Sequence, residues 1–221
     1  MSSSEIIDGV HVLHLGDGPN MVDEAFLSAL EGALDAVEAN EGIAGLVTVG
    51  DGKAYSQGYD LDLFATVEPA ELEALIERSV ELLARVLTFP VPTVAAINGH
   101  AFGYGAMLGL AHDLRVQRSD RGWLCLPEVD LGLQFRPLQL ALIQAKLTPD
   151  AVAESVLGGR RWDGPAAVAA QVVTAVASEE ELVSAAVALA KGRAGKGRAV
   201  LGALKRDVYA DVLAYLRPSQ S

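Results

Sequence analysis

Three segments of this 221-residue chain place polar or conformationally permissive residues where a plain core would ask for apolar ones. The first is Lys53-Ala-Tyr-Ser-Gln-Gly-Tyr-Asp-Leu61, a loop of small residues after an apolar run. The second is Ile97-Asn-Gly-His-Ala-Phe-Gly-Tyr-Gly-Ala-Met107, where a strand gives way to glycines and then to a helix through His112. A glycine-rich strand-to-helix turn exposes backbone N–H groups that the new helix cannot satisfy internally, and those donors suit a developing oxyanion or a phosphate. The third is Trp123-Leu-Cys-Leu-Pro-Glu-Val-Asp-Leu-Gly-Leu133, with Glu128 between apolar runs. A carboxylate in such surroundings is costly to ionise, so its pKa rises toward neutrality, as a general base or acid requires. Simpler readings compete: glycines also permit close backbone packing, and Glu128 could turn outward to Arg118 or Arg121.

Other chemistries find no support. No Gly-x-Gly-x-x-Gly or Walker pattern exists. His11 and His14 lie three apart in an expected strand, so they face opposite sides and cannot share a metal. His100 and His112 are isolated and read as structural. Cys125 alternates within an apolar strand and reads as core rather than nucleophile. Ser56 lacks a Gly-x-Ser-x-Gly context. The balance of 17 basic and 29 acidic residues gives a net charge of −12, the wrong sign for a protein that neutralises nucleic-acid phosphates. One cysteine excludes an internal disulfide framework. The Met-Ser-Ser-Ser-Glu start has neither a basic nor an apolar stretch, and the apolar run 91–111 is interrupted by Pro92, Asn98, His100 and four glycines. The expectation is a cytoplasmic globular protein with no membrane partner.

The elements that must hold these segments alternate, as in an α/β architecture. Strands are expected over 10–15, 43–49 and 93–97, with amphipathic helices over 23–39 and about 69–87. Helices then dominate. Thr148-Pro149 caps one that Gly158-Gly159 ends, Ser178-Glu-Glu-Glu181 matches a capping box for another through about Lys191, and a last covers roughly 199–216. The reading is a single domain, 1–221, with a mixed body to about residue 135 and a helical portion over 136–221. The basic cluster between Lys191 and Arg206 reads as a solvated helix face.

Together the three segments resemble the crotonase family, also called the enoyl-CoA hydratase/isomerase family, over most of residues 5–210. The stretch 53–61 is similar to that family's loop ending in Gly-x-Asp-Leu/Ile, and 96–113 to its Asn-Gly…Gly-Gly-Gly segment closing with Asp. Residues 114–123, leading into Pro127-Glu128, most resemble the plant peroxisomal Δ3,Δ2-enoyl-CoA isomerases. The resemblance implies a β-β-α spiral with a C-terminal helical extension, and a trimer or dimer of trimers. It implies an acyl-CoA thioester substrate, coenzyme A being part of that substrate and no separate cofactor needed. It implies an oxyanion hole from the backbone N–H groups of Tyr59 and Tyr104, and substrate contacts from Tyr55, Ser56, Gly58, Asp60, Leu61 and Gly103. Of the two glutamates of the hydratases, one falls on Glu128 and the other on Met107, which can neither accept a proton nor hold a water. A hydratase would then recruit water with Glu128 alone or with a partner such as Asp130, whereas double-bond isomerisation needs one base only. Met107 becomes pocket wall or core. Leu133-Gln-Phe-Arg-Pro137 replaces the family's Gly-rich turn, with Phe135 and Arg136 expected near the pocket mouth. Lys205 and Arg206 fall near the family's recurring lysine and are expected at the coenzyme A phosphates. The related Clp peptidases would want a serine near the oxyanion helix, and Gly105, Ala106 and Met107 supply none.

Overall fold

The computed structural model describes residues 2–62 and 66–216. Its main sheet is six-stranded: β1 (Ser3–Ile7), β2 (Val10–His14), β4 (Gly45–Val49), β7 (Thr93–Ile97), β9 (Leu114–Arg118) and β11 (Ala175–Ala177), in that spatial order. β1 pairs antiparallel with β2, and every later pairing is parallel. Parallel strands joined by crossover helices are covered on both faces, so β4, β7 and β9 are buried along their whole length. On one face Val10, Val12, Val47, Val49, Val94 and Val116 pack against Leu182, Ala186, Val187 and Ala190 of helix α8 (Leu182–Arg193). On the other, Leu13, Leu46, Ala95 and Ile97 meet α1 (Glu24–Ala39), α2 (Pro69–Leu87) and α3 (Tyr104–Ala111).

Local chemistry explains the boundaries. Asp23 caps α1 by accepting from the Phe26 amide at 2.7 Å, and Pro69 stands in the first turn of α2, where its missing N–H costs nothing. Arg78 of α2 bonds Glu24 and Glu31 of α1, tying the two helices together. Thr148 caps α6 (Pro149–Val152), which continues as a π-helical turn (153–157) and ends at Gly158. The Ser178 hydroxyl accepts from the Glu181 amide at 3.3 Å, but α8 starts only at Leu182 with Glu181 at its N-cap, so this bond closes the turn ahead of the helix and the expected capping box does not cap it.

Two differences from expectation concern the sheet. β1 is an exposed-to-intermediate edge strand with no buried run to betray it. β11 returns inside the region expected to be purely helical and pairs with β9 through Ala175↔Val116 to Ala177↔Arg118. The last expected helix is divided at Tyr209 into α9 (Arg198–Val208) and α10 (Ala210–Leu213).

Lys205 is a further correction. Its side chain is buried, and its ammonium donates to the Phe89 carbonyl (2.8 Å), the Val91 carbonyl (3.0 Å) and the Asp113 carboxylate (2.7 Å). Three donors with three internal acceptors leave nothing for a phosphate. Asp113 in turn accepts from the Thr93 amide, so this cation locks α9 against the start of β7 and β9. Replacing Lys205 with methionine strands a carboxylate in the interior, and a loss of about 3 kcal/mol in urea-unfolding stability is expected. Arg198 is similarly spent, donating to the carbonyls of Val37, Asn40 and Ile43 beyond the end of α1.

Candidate active site

Two small sheets beside the main one bring the three segments together. β10 (Leu124–Cys125), β8 (His100–Phe102) and β5 (Ala54–Ser56) form one, and β3 (Met21–Val22) with β6 (Gly58–Tyr59) forms the other. β8 lies between β5 and β10 and runs parallel to both. This pairing carries the chain after β10 to the turn after β8: the Gly103 amide donates to the Cys125 carbonyl at 3.0 Å, three residues before Glu128.

Gly103 is the N-cap of α3 and has φ +50°, a conformation that L side chains rarely adopt. The Tyr104 amide follows as the first of the helix, among the donors that have no partner within it. The loop after β5 interlocks with this turn through glycines. Gly58 has φ +80°, and a Cβ there would stand 2.7 Å from the Phe102 carbonyl oxygen and 3.0 Å from the Tyr104 nitrogen. A Cβ on Gly105 would stand 2.2 Å from the Ser56 carbonyl oxygen. Only bare backbone can approach this closely, so residues 56–58 and 102–105 are held against each other.

Glu128 opens α4 (Glu128–Leu131), a single turn closed by Gly132 in the left-handed region. It is 8 % exposed. Its Oε1 lies 3.4 Å from where a Cβ of Gly103 would stand, and its Oε2 is buried with no hydrogen-bond partner. Burial pushes its pKa up to about 7. The outward pairing with Arg118 does not form: Arg118 bonds Asp120 and Glu179 instead. Asp130 stands two residues further round the turn, and its carboxylate packs on Gly159, where a Cβ would come within 2.8 Å of it. Two residues on a helix are about 200° apart, so Asp130 is directed away from Glu128.

The remaining expected site residues fall into distinct places. The Tyr55 side chain is fully buried, and its hydroxyl lies 2.7 Å from Thr48 Oγ1, itself 3.0 Å from His112 Nε2. His112 Nδ1 sits 2.8 Å from the Leu108 carbonyl, which can only accept, so Nδ1 carries the proton and the chain runs Tyr55 to Thr48 to His112. Burial lowers the His112 pKa to about 4, which keeps this network neutral. Tyr55 is therefore a core anchor of β5 and not a substrate contact. Ser56 is also buried. Its hydroxyl donates to the Asn20 carbonyl and accepts from the Gly58 amide, which shapes the loop. Met107 is 2 % exposed within the main core. Asp60 accepts from the Asp62 amide, and Leu61 is exposed next to residues outside the described range. Phe135 is half-buried against the core, and Arg136 pairs with Glu73 of α2 at the start of α5 (Pro137–Lys146). His100 packs between Phe102 and Trp123 with ring centroids 5.2 Å apart. Cys125 is buried, and its thiol lies 3.4 Å from the Gly159 carbonyl. A cleft of about 850 Å³ between α6 and α7 (Gly164–Ala169) includes none of these residues.

Residues that patterning overlooked hold the loop in place. Asn20 donates to the carbonyls of Gly16, Ala54 and Tyr55, and Asn98 bridges the Gly50 amide and the Gly52 carbonyl. Asparagine next to the glycine-rich turn at 16–18 is the signal that could have found Asn20, whereas Asn98 meets the turn at 50–52 only through the fold.

A spiral of parallel strands, with a helix-start amide turn facing a single buried carboxyl, is the arrangement of crotonase-fold enzymes. The chain matches the model of the Enoyl-CoA hydratase/isomerase family over residues 5–218 and belongs to that family. It is 35% identical over 181 residues to the peroxisomal enoyl-CoA delta isomerase 2 of Arabidopsis thaliana, covering 77% of this chain and 75% of that one. It is 30% identical to the peroxisomal enoyl-CoA delta isomerase 1 of the same plant, covering 97% and 92%. A crystal structure of a probable enoyl-CoA hydratase from Mycobacterium tuberculosis superposes with a TM-score of 0.90 at 28% identity, covering 98% of this chain and 91% of that one. Among the described residues no helix is long and apolar enough to cross a membrane.

Proposed function

We propose that the protein moves the double bond of a 3-enoyl-CoA to give the 2-trans-enoyl-CoA, with Glu128 as its only acid–base group. The observation that carries the reading is the position of this carboxyl: buried, with an unpartnered Oε2, and against the Gly103–Tyr104 turn. Ionised Glu128 takes the proton α to the thioester carbonyl. The C–H electron pair moves into the carbonyl, and the resulting oxyanion accepts from the Tyr59 and Tyr104 amides. Each preorganised donor is worth about 3 kcal/mol where charge develops. Protonated Glu128 then returns the proton to the γ-carbon, the oxyanion collapses to the carbonyl, and the double bond stands between the α and β carbons. Nothing is consumed, and coenzyme A remains the carrier throughout. Both phenols are kept neutral by burial, Tyr59 with its pKa pushed up to about 12 and Tyr104 with its pKa raised well above the usual tyrosine value, so neither competes as a base.

Hydration is the second reading, favoured by the name of the mycobacterial neighbour. It calls for a second acid: where the resemblance places one this chain has Met107, and the Asp130 carboxylate is turned to Gly159. Separate incubations with 3-enoyl-CoA and trans-2-enoyl-CoA test the choice. Rapid conversion of the former without hydroxyacyl product is expected, and rapid 3-hydroxyacyl-CoA formation from the latter would reject the isomerase.

The pH profile provides an independent check. The base works only when ionised, so kcat/KM rises with pH through about 7, falls tenfold per pH unit well below it, and levels off above. A profile flat from pH 5 to 8 would remove Glu128 from the rate-limiting proton transfer. The proposal includes self-association as a trimer, which the exposed stripe Val200, Leu204 and Val208 along one face of α9 supports. Light scattering is expected to return three chains per particle.

A further inference from the structure

Among the buried residues of α2, Ser79 is the one that is polar; its companions are Ile76, Leu82, Leu83, Ala84, Val86 and Leu87. A hydroxyl in such an apolar stripe is unfavourable unless it is fully used. Here it is. Ser79 Oγ donates to the Ile76 carbonyl at 2.7 Å, so the 2.5 Å contact with the Tyr59 hydroxyl has the phenol as donor. The Tyr104 hydroxyl donates to the Ser79 carbonyl at 2.9 Å. The two tyrosine rings lie 5.4 Å apart and reach the same residue side by side. Gln139 of α5 also hydrogen-bonds the Tyr59 side chain.

The two residues whose amides the proposed mechanism uses come from separate parts of the chain, 45 positions apart (104 − 59). Glycine contacts let their backbones approach, but a close approach does not fix the direction of two N–H vectors. Each phenol is a long lever from its own backbone to a common fixed point. We infer that Ser79 is the positioning residue of the oxyanion site, holding the Tyr59 and Tyr104 amides in register through their phenol side chains. The inference rests on the two-amide reading above. It also explains why tyrosines occupy positions whose backbone alone touches the substrate: phenylalanine would pack equally well but could not be tethered.

The test uses the full-length protein, Ser79→Ala and Tyr59→Phe, which break the same hydrogen bond from its two ends, and the double variant. Each single change is expected to lower kcat about tenfold with KM within about twofold, and the double variant to lose no more than either single. The direct readout is the infrared carbonyl stretch of hexanoyl-CoA labelled with ¹³C at the thioester carbon. Binding to the wild type lowers its frequency, and both variants recover part of that shift. Should Ser79→Ala not fold, Tyr59→Phe, which removes one oxygen, decides alone. Wild-type kcat and wild-type stretch in the variants, or losses that multiply in the double, overturn the role of Ser79. An absent shift in the wild type overturns the two-amide site itself, which keeps the two failures distinct.

Discussion

Glu128→Gln is expected to abolish double-bond migration and at the same time to make the protein more stable at pH 8. The two effects have one cause. Glutamine keeps the shape of the side chain but cannot accept a proton, so kcat falls by roughly 10²–10⁴-fold while acyl-CoA binding persists. For stability the sign follows from linkage. The carboxyl has a pKa of 4.5 in the unfolded chain and about 7 in the fold. The native state therefore holds an extra proton between these values, and stability falls as pH rises from about 4.5 to about 7, then stays low. That displacement amounts to roughly 3 kcal/mol, the cost of ionising a buried acid with one oxygen unpartnered. The amide is spared this cost. Urea unfolding at pH 8 is expected to show the variant ahead by up to that amount, and at pH 4 the two proteins coincide. Full turnover in Glu128→Gln would end the mechanism, and equal stability at both pH values would show that the carboxyl meets water.

The second large effect is at Gly58. Alanine there takes up an unfavourable φ of +80° and drives its methyl group into the Phe102 carbonyl and the Tyr104 amide. The loop and the helix start separate, and a loss of one oxyanion donor costs roughly 10²–10³-fold in kcat. The midpoint of the pH–rate profile stays near 7, because Glu128 is held by α4 and not by the loop. Gly195 supplies the control: it has the same φ of +80°, with nothing within 4 Å of an added Cβ. Gly195→Ala is expected to lose about 1 kcal/mol of stability and no activity. If Gly58→Ala and Gly195→Ala behave alike in kcat, the contact at Tyr104 has no catalytic weight.

The stability gained at Glu128→Gln and the intolerance of a side chain at Gly58 belong to one pattern. The fold tolerates an acid in an apolar setting and a glycine in a tight approach because the packed sheet and helices around them are sufficiently stable to do so.

Much of this protein is legible in the order of its residues. The periodicity of 24–39 and 69–87, the apolar runs at 45–49 and 93–97, and the capping hydroxyl of Thr148 are local signals, and the local structure obeys them. The three segments with chemistry stand out for the same reason, since glycines and an acid inside apolar runs contradict packing. Long-range partners were decided elsewhere. β1 is exposed because it is an edge strand, and β11 is three residues long, so both exist only through the neighbours they pair with. Lys205 lies in a basic stretch that looks solvated, and only the fold brings the Phe89, Val91 and Asp113 oxygens around its ammonium. Tyr55 sits within the chemical loop by position, yet strand geometry turns its ring to Thr48. Ser79 and the two phenols it anchors are 20 and 25 residues apart in the chain. Residue type and spacing report on helix, strand and turn because those depend on neighbours along the backbone. The raised pKa of Glu128, the spent ammonium of Lys205 and the paired phenols depend on atoms brought close by folding, and only the tertiary structure determines which those are.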